Sequence, residues 1–398
     1  MKYIRSSVYM LVLILVVIMV FTFYGVIKEN IGEQYSTYEA SSNTKSKILR
    51  IVDEVKSLVE KIRNLRFPYK MQIRIINTTW VLEHWGPPPK PSKEMLIKEI
   101  VYKLSLLVPP NFSIISGERR WTASFMAAAA GYTLYIVEDN FDLEKPVARR
   151  ALAHELVHIL QYHYFHVAYP STLDGRLAVL ALIEGDADLV ADTFCNLTGI
   201  PPRPRLGLPL NNPYIALHSF PYIFGEDFVL FLYSKGGWDL VNKAYTNPPR
   251  STEQIMNPEK YLENEEPVKV ELQVNESTDP LYTDVMGEYY ILLVLATKID
   301  FKEAYKAAQG WGGDMLALFY DNNTNTWTLY WNITWDTTND AQEFYKTFNE
   351  ALVSLNASKI NESMLMKKYQ IWDYTIEIKL YGQNTFIIVE WREAGTKY

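Results

Sequence analysis

Two short stretches hold residue types that can do chemistry at useful spacing: His154-Glu155-Leu156-Val157-His158 and Glu184-Gly185-Asp186-Ala187-Asp188. The first reads H-E-x-x-H. Four residues turn an α-helix by about 400°, so His154 and His158 leave the same helix face. Neutral imidazole nitrogens bind Zn²⁺ at about 2.0–2.1 Å in tetrahedral order, so two histidines call for a third protein ligand and leave one position for water. Glu155, next to the first ligand, is placed to take a proton from water made acidic by the ion and to return it to a leaving amine. His154 and His158 are therefore expected as metal ligands and Glu155 as the catalytic base.

The third ligand is expected from the second stretch, which begins 26 positions after His158. Glu184 and Asp188 share a helix face by the same four-residue spacing. Glu184 completes the ligand set, and Asp188 is expected to accept a hydrogen bond from the far nitrogen of a ligand histidine, His154 by preference, fixing its tautomer. Holding a developing oxyanion needs one more donor. His218 and Tyr222, further along the chain, are the candidates.

HELVH followed by a helix carrying Glu and, four residues later, Asp resembles the gluzincin (thermolysin-like) group of zinc metallopeptidases. The resemblance spans Gly131 to Ala191. It implies a bound zinc, a glutamate base, hydrolysis of peptide bonds and a substrate peptide lying along an edge strand, here Gly131 to Glu138. The thermolysin-like pattern has Asn before the ligand Glu, where this chain has Ile183. The G-x-M-E-N stretch of aminopeptidases has no counterpart in Ala127 to Tyr132, which favours an endopeptidase.

These residues must be positioned by helices. Leu143 to about Tyr164 reads as one, with Pro146 in its first turn, and Leu173 to about Leu197 as another. Gly131 to Glu138, rich in β-branched and aromatic residues, reads as a strand just upstream. The expected fold is α+β: a zincin-like catalytic domain over 68–200, a mainly helical second lobe over 201–280 beyond a Pro-rich hinge, and a small α+β unit over 281–398. In the last unit Gly310-Trp311-Gly312-Gly313 is expected to form a turn, with strands at Met315 to Tyr320, Thr326 to Thr334, Ile371 to Lys379 and Thr385 to Trp391. Before the catalytic domain, Ser36 to Ser46 reads as a flexible stalk and Ile48 to Leu65 as an amphipathic helix, within a segment bounded at 28–67.

From Ser6 to Ile27 the sequence is uncharged and apolar, long enough to span a bilayer. Lys2 and Arg5 precede it, so the N-terminus is expected in the cytoplasm and everything after residue 27 outside, at the cell membrane. Eight N-x-[ST] sequons, at Asn77, Asn111, Asn196, Asn275, Asn322, Asn332, Asn356 and Asn361, suit a surface carrying N-linked glycans. With 398 residues, 48% hydrophobic, the chain can bury a large core. A net charge of −7 with scattered Lys and Arg excludes nucleic acid as a partner. A single cysteine, Cys195, excludes an intrachain disulfide. The expected function is a membrane-anchored, extracellular zinc metallopeptidase acting on peptide or protein substrates. The alternative is a catalytically inactive, glycosylated surface binding or scaffold protein on a metallopeptidase fold.

Overall fold

The computed structural model describes residues 42–392 apart from 69, 70, 125, 143, 206 and 277. The apolar run Ser6 to Ile27 lies outside the described residues. The fold is α+β, built from a helical body, a three-stranded sheet and a seven-stranded sheet.

The chain enters through α1 (Ser42–Arg63), whose Ile48, Ile51, Val52, Val55 and Val59 are buried. Part of the polar stretch expected as a stalk, from Ser42 on, is therefore helix, because α1 has a core to pack on. Strand β1 (Gln72–Ile76) and the short α2 (Thr78–His84), capped by Asn77, lead to α3 (Lys93–Leu104), α4 (Ile114–Thr122), β2 (Ala127–Ala130) and β3 (Thr133–Val137). The small sheet runs β1-β3-β2, with β1 parallel and β2 antiparallel to β3. An all-alanine strand carries little β propensity, so β2 is set by its pairing with β3.

Helices α5 (Pro146–Tyr164) and α6 (Leu173–Thr198) form the centre. Pro146 occupies the first turn of α5; Thr172 caps α6, and Gly199 ends it in the left-handed region (φ 70°). Helix α7 (Pro213–Thr246) starts nine residues before the Tyr222 expected from sequence, with Pro213 in its first turn. It continues beyond Gly236-Gly237, where the expectation ended it, as a second helical segment across a kink in which Gly237 has φ 60°. Among the described residues α7 is the one helix long and apolar enough to cross a membrane by length and composition. Over half of its apolar window is buried inside the protein.

Short helices α8 (Thr252–Met256) and α9 (Pro258–Leu262) and strand β4 (Tyr282–Asp284) precede α10 (Gly287–Ala296), every residue of which is buried. Asp314 secures α10 from the neighbouring sheet: its carboxylate accepts from the Met286 and Gly287 amides and from the Trp311 and Trp331 indoles. After α11 (Phe301–Ala308) come β5 (Trp311–Asp321), β6 (Thr326–Trp335), α12 (Thr338–Ser354), β7 (Ser358–Ser363), β8 (Met366–Ile371), β9 (Tyr374–Tyr381) and β10 (Asn384–Arg392). They form an antiparallel sheet of order β4-β5-β6-β10-β9-β8-β7, with α12 packed through Phe344 on Trp335.

Two expectations in this region need correction. Trp311 to Asp314 is strand with a register shift, and only Gly310 (φ 74°) makes the turn. Ile371 to Lys379 is not one strand but the ends of β8 and β9 around a turn at Trp372 (φ 48°). One hydrophobic core runs from α3 through α6, α7 and α10 into the large sheet, so the stretches 68–200, 201–280 and 281–398 share it. A second cluster joins α1, α5, α6 and the small sheet.

Candidate metal centre

Helix α5 is buried from Arg150 to Gln161, with Leu152, Leu156, Ile159 and Leu160 filling the core on either side of the motif. Helix α6 lies against it and is buried from Ala181 to Ala191. Three charged residues of the second stretch, Glu184, Asp186 and Asp188, are each no more than 1% exposed. They are not a solvated face, and burial of three carboxylates requires partners for each.

The partners are the histidines and a set of arginines. His154 Nε2 lies 3.1 Å from Glu184 Oε2, and His158 Nε2 lies 3.3 Å from the same oxygen. Ligand atoms about 2.0–2.1 Å from a tetrahedral ion stand about 3.3 Å apart, so these separations suit a shared cation, and the 3.1 Å contact is equally a hydrogen bond from a protonated His154 to Glu184. One ligand atom from each of His154, His158 and Glu184 falls within a 4.8 Å group. His158 Nε2 is buried without a hydrogen bond despite its nearness to Glu184, which is costly unless something else accepts its lone pair.

The second ring nitrogens are committed. His154 Nδ1 donates to Asp188 Oδ1 at 2.9 Å, as the spacing predicted, and His158 Nδ1 donates to Gln161 Oε1 at 2.7 Å. Neutral rings held this way present lone pairs at Nε2. Two imidazole nitrogens and a carboxylate oxygen, with ordered outer partners, fit zinc and leave one coordination position open. A second acidic group, Glu253, Glu265 and Asp336, already holds the Lys260 ammonium at 2.7, 2.6 and 3.0 Å.

Without a metal, the buried carboxylates favour the protonated histidines, so a cation bound here would have to displace a proton. Burial opposes charge on His154, but Asp188 and Glu184 override it and raise the ring to about 9; His158 is raised by Glu184 against the same penalty. Burial would raise Glu184 too, yet His158 and His154 hold it below the usual carboxylate range. Asp188 is held well below its ordinary value against burial, chiefly by Arg203 and Arg150, whose Nη2 atoms donate to it at 2.7 and 2.9 Å. Asp192 takes Arg150 Nε at 2.6 Å.

Glu155 is fully buried and neither carboxylate oxygen has a hydrogen-bond partner among the described residues. Burial pushes its pKa up to about 7, while His158, His154 and the Ala129 backbone amide favour the charge. Ala129 belongs to β2, and here the expectation about the edge strand needs correction. Gly131 to Glu138 contains β3, the middle strand of its sheet; the edge beside Glu155 is β2, Ala127–Ala130.

Tyr222, from α7, is buried close to the centre. Burial first, then the charges of Glu184, Asp188 and Glu155 and a hydrogen bond to Glu184, raise its phenol well above its ordinary value. Tyr169, on the link between α5 and α6, is raised by burial and by Glu184. His218 is not brought to the centre: one turn before Tyr222, its ring packs on Tyr214 and Trp121 at 4.6 and 5.6 Å, and its charged neighbours are Glu118 and Lys98. Gln161, Asp186, Arg150, Arg203, Arg63 and Tyr245 were missed from sequence. For Gln161 and Asp186 the signal was their place one turn beyond a ligand histidine and inside the acidic stretch; the arginines and Tyr245 come from distant positions with no local signature.

A family model described as a domain of unknown function, DUF8575, matches residues 276–395. This is the seven-stranded sheet with α10, α11 and α12, and it excludes the metal centre. No curated protein matches the chain. A crystal structure from Chloroflexus aurantiacus, provisionally described as a hydrolase with a novel fold, matches with 17% identity and a TM-score of 0.32, covering 57% of this chain and 91% of that one.

Proposed function

We propose that the chain is a zinc-dependent peptide hydrolase, of endopeptidase type, with His154, His158 and Glu184 as ligands and Glu155 as general base. The observation that carries this reading is the convergence of His154 Nε2 and His158 Nε2 on Glu184 Oε2, at 3.1 and 3.3 Å, with each second ring nitrogen already bonded. Zinc, when bound, supplies a Lewis acid that lowers the pKa of water and polarises a carbonyl.

The rest falls to the chain. Strand β2 ends the order of its sheet beside Glu155, and its outer edge would pair with an extended peptide once the cover over the buried Ala127 to Ala129 opens. Glu155, poised near 7 by burial, takes a proton from the attacking water and returns it to the departing amine. Tyr222 keeps its phenolic proton at all ordinary pH values; it gives that proton to Glu184, and would serve a developing oxyanion only by turning from Glu184 to it. Burial of the ligands excludes bulk water and strengthens each of these interactions.

In this reading the run Ser6 to Ile27 anchors the protein and the catalytic body lies outside the cell. Exposed sequon asparagines at Asn111, Asn196, Asn275, Asn322, Asn356 and Asn361 support a glycosylated outer surface. The test is turnover of a library of unstructured peptides. Wild type cleaves and loses cleavage on chelation, whereas Glu155→Gln keeps the metal and falls by about 10²–10⁴ in kcat. Unchanged turnover in Glu155→Gln removes the base from its role. Partner binding that survives Glu155→Ala, with no peptide cleaved by wild type, favours the scaffold alternative.

A further inference from the structure

The metal centre reaches further into the molecule on the His158 side than the ligand set requires. Resting on the metallopeptidase reading, we propose that Gln161, Tyr245, Asp186 and Arg63 form a positioning chain that fixes the tautomer and orientation of His158, tying one metal ligand to helix α1.

The Gln161 amide is satisfied in only one orientation. Gln161 Nε2 faces the Ile183 carbonyl at 2.8 Å, the Tyr245 hydroxyl at 2.9 Å and Asp186 Oδ2 at 3.3 Å. The carbonyl and the carboxylate only accept. Tyr245 has spent its own proton on Asp186 Oδ2 at 2.7 Å, so toward Gln161 it also accepts. Flipping the amide would set its oxygen against three acceptors. Its oxygen must therefore face His158, at 2.7 Å from Nδ1. An amide oxygen has no proton to give, so Nδ1 carries the hydrogen and the neutral ring keeps its lone pair at Nε2, the atom 3.3 Å from Glu184 Oε2.

What holds the amide is a buried ion pair. Asp186 accepts from Arg63 Nε at 2.8 Å and Nη2 at 3.2 Å, and both side chains are fully buried. Arg63 Nη2 also donates to Asn242 at 2.7 Å, and the guanidinium lies over the Trp238 ring at 4.3 Å. Arg63 is the last residue of α1, a helix that supplies no ligand. Asp188 fixes the tautomer of His154 directly, and Asp186, acting through Gln161, fixes that of His158. The two aspartates of one acidic stretch thus serve the two histidines of the other.

The test uses the full-length chain in two measurements. In the first, zinc affinity is read by competition with a chromogenic chelator for wild type, Gln161→Leu, Tyr245→Phe and His158→Ala, alongside the thermal midpoints of the metal-free proteins. Loss of an outer partner costs about 10–100-fold in metal affinity, so Gln161→Leu is expected to weaken zinc by that factor while still binding one equivalent, and Tyr245→Phe by a smaller factor. His158→Ala loses the site. A role confined to stability would lower the metal-free midpoint and leave the zinc affinity of the folded variants within twofold of wild type; that result overturns the proposal. Should Gln161→Leu not fold, Tyr245→Phe decides. In the second measurement, ¹⁵N-edited spectra of the metal-free protein are expected to show a protected Nδ1-bound proton on His158 that disappears in Gln161→Leu or, failing its folding, exchanges faster in Tyr245→Phe. Its absence in wild type contradicts the proposal. Wild type that binds no zinc but shows this proton sinks the metallopeptidase reading alone.

Discussion

Gly225→Ala tests how Tyr222 is brought to the centre. Helices α6 and α7 cross backbone to backbone: a Cβ on Gly225 would stand 2.3 Å from the Ala181 carbonyl oxygen and 3.1 Å from the Gly185 amide nitrogen, and one on Gly185 would stand 2.0 Å from the Gly225 oxygen. No side chain can rotate away to relieve such contacts, so the helices must part by about 1 Å, as expected of overpacking in a close-packed interior. Alanine is the better helix former by about 0.8–1.0 kcal/mol, which works in favour of the variant. Overpacking against backbone costs about 3 kcal/mol, at the upper end of the usual range, leaving a net loss of about 2 kcal/mol. Tyr222 lies one turn before Gly225, and the atoms struck on α6, the Ala181 carbonyl oxygen and the Gly185 amide nitrogen, flank Glu184, so parting the helices draws the phenol away from Glu184. Urea unfolding of the full chain is expected to show the lost stability, zinc titration an unchanged stoichiometry, and peptide turnover a drop of about 10²-fold from a misplacement near 1 Å. A Gly225→Ala protein as stable and as active as wild type would refute the crossing as the device that positions Tyr222.

Two other substitutions probe buried charge. Arg63→Met leaves Asp186 buried without its cation and is expected to lose about 3–5 kcal/mol in urea unfolding, with much of the loss recovered in Arg63→Met/Asp186→Asn; equal stability of the single variant and wild type would contradict the pairing. Lys298 is half-buried, its ammonium on three acceptors, the Leu106 and Val294 carbonyls and the Thr297 hydroxyl, each at 2.7 Å, and desolvation lowers it from 10.5 to about 7. Between pH 7 and 10.5 the unfolded chain holds this proton and the folded chain does not, so raising pH through that window stabilises the fold, by up to about 5 kcal/mol. The stability difference between wild type and Lys298→Met is expected to shift in favour of wild type across the window. A flat difference would mean that the three acceptors keep the ammonium charged.

The clustering of His154, His158 and Glu184, and the pairing of His154 with Asp188, were legible because they follow from helix periodicity: residues four apart share a face whatever surrounds them. Gln161 obeys the same rule, one turn after His158, but a glutamine in that place has no meaning until Ile183, Tyr245 and Asp186 are seen to fix its amide. His218 and Tyr222 were equal candidates by sequence, and rotation about α7 separates them: Tyr222 faces Glu184 while His218 faces Trp121 and Tyr214. Strand β2 was invisible because four alanines have no strand preference and are held only by β3. The length of α7 was misjudged because Gly236-Gly237, a strong stop for an isolated helix, makes only a kink where Trp238 bonds the Ile62 carbonyl at 2.7 Å.

The central claim is that two imidazoles and one carboxylate are arranged for a zinc ion, and metal analysis of the purified full-length protein tests it most directly. About one zinc per chain is expected in wild type, retained in Glu155→Gln and lost in His158→Ala. Wild type without bound metal, or His158→Ala retaining as much zinc as wild type, would contradict it.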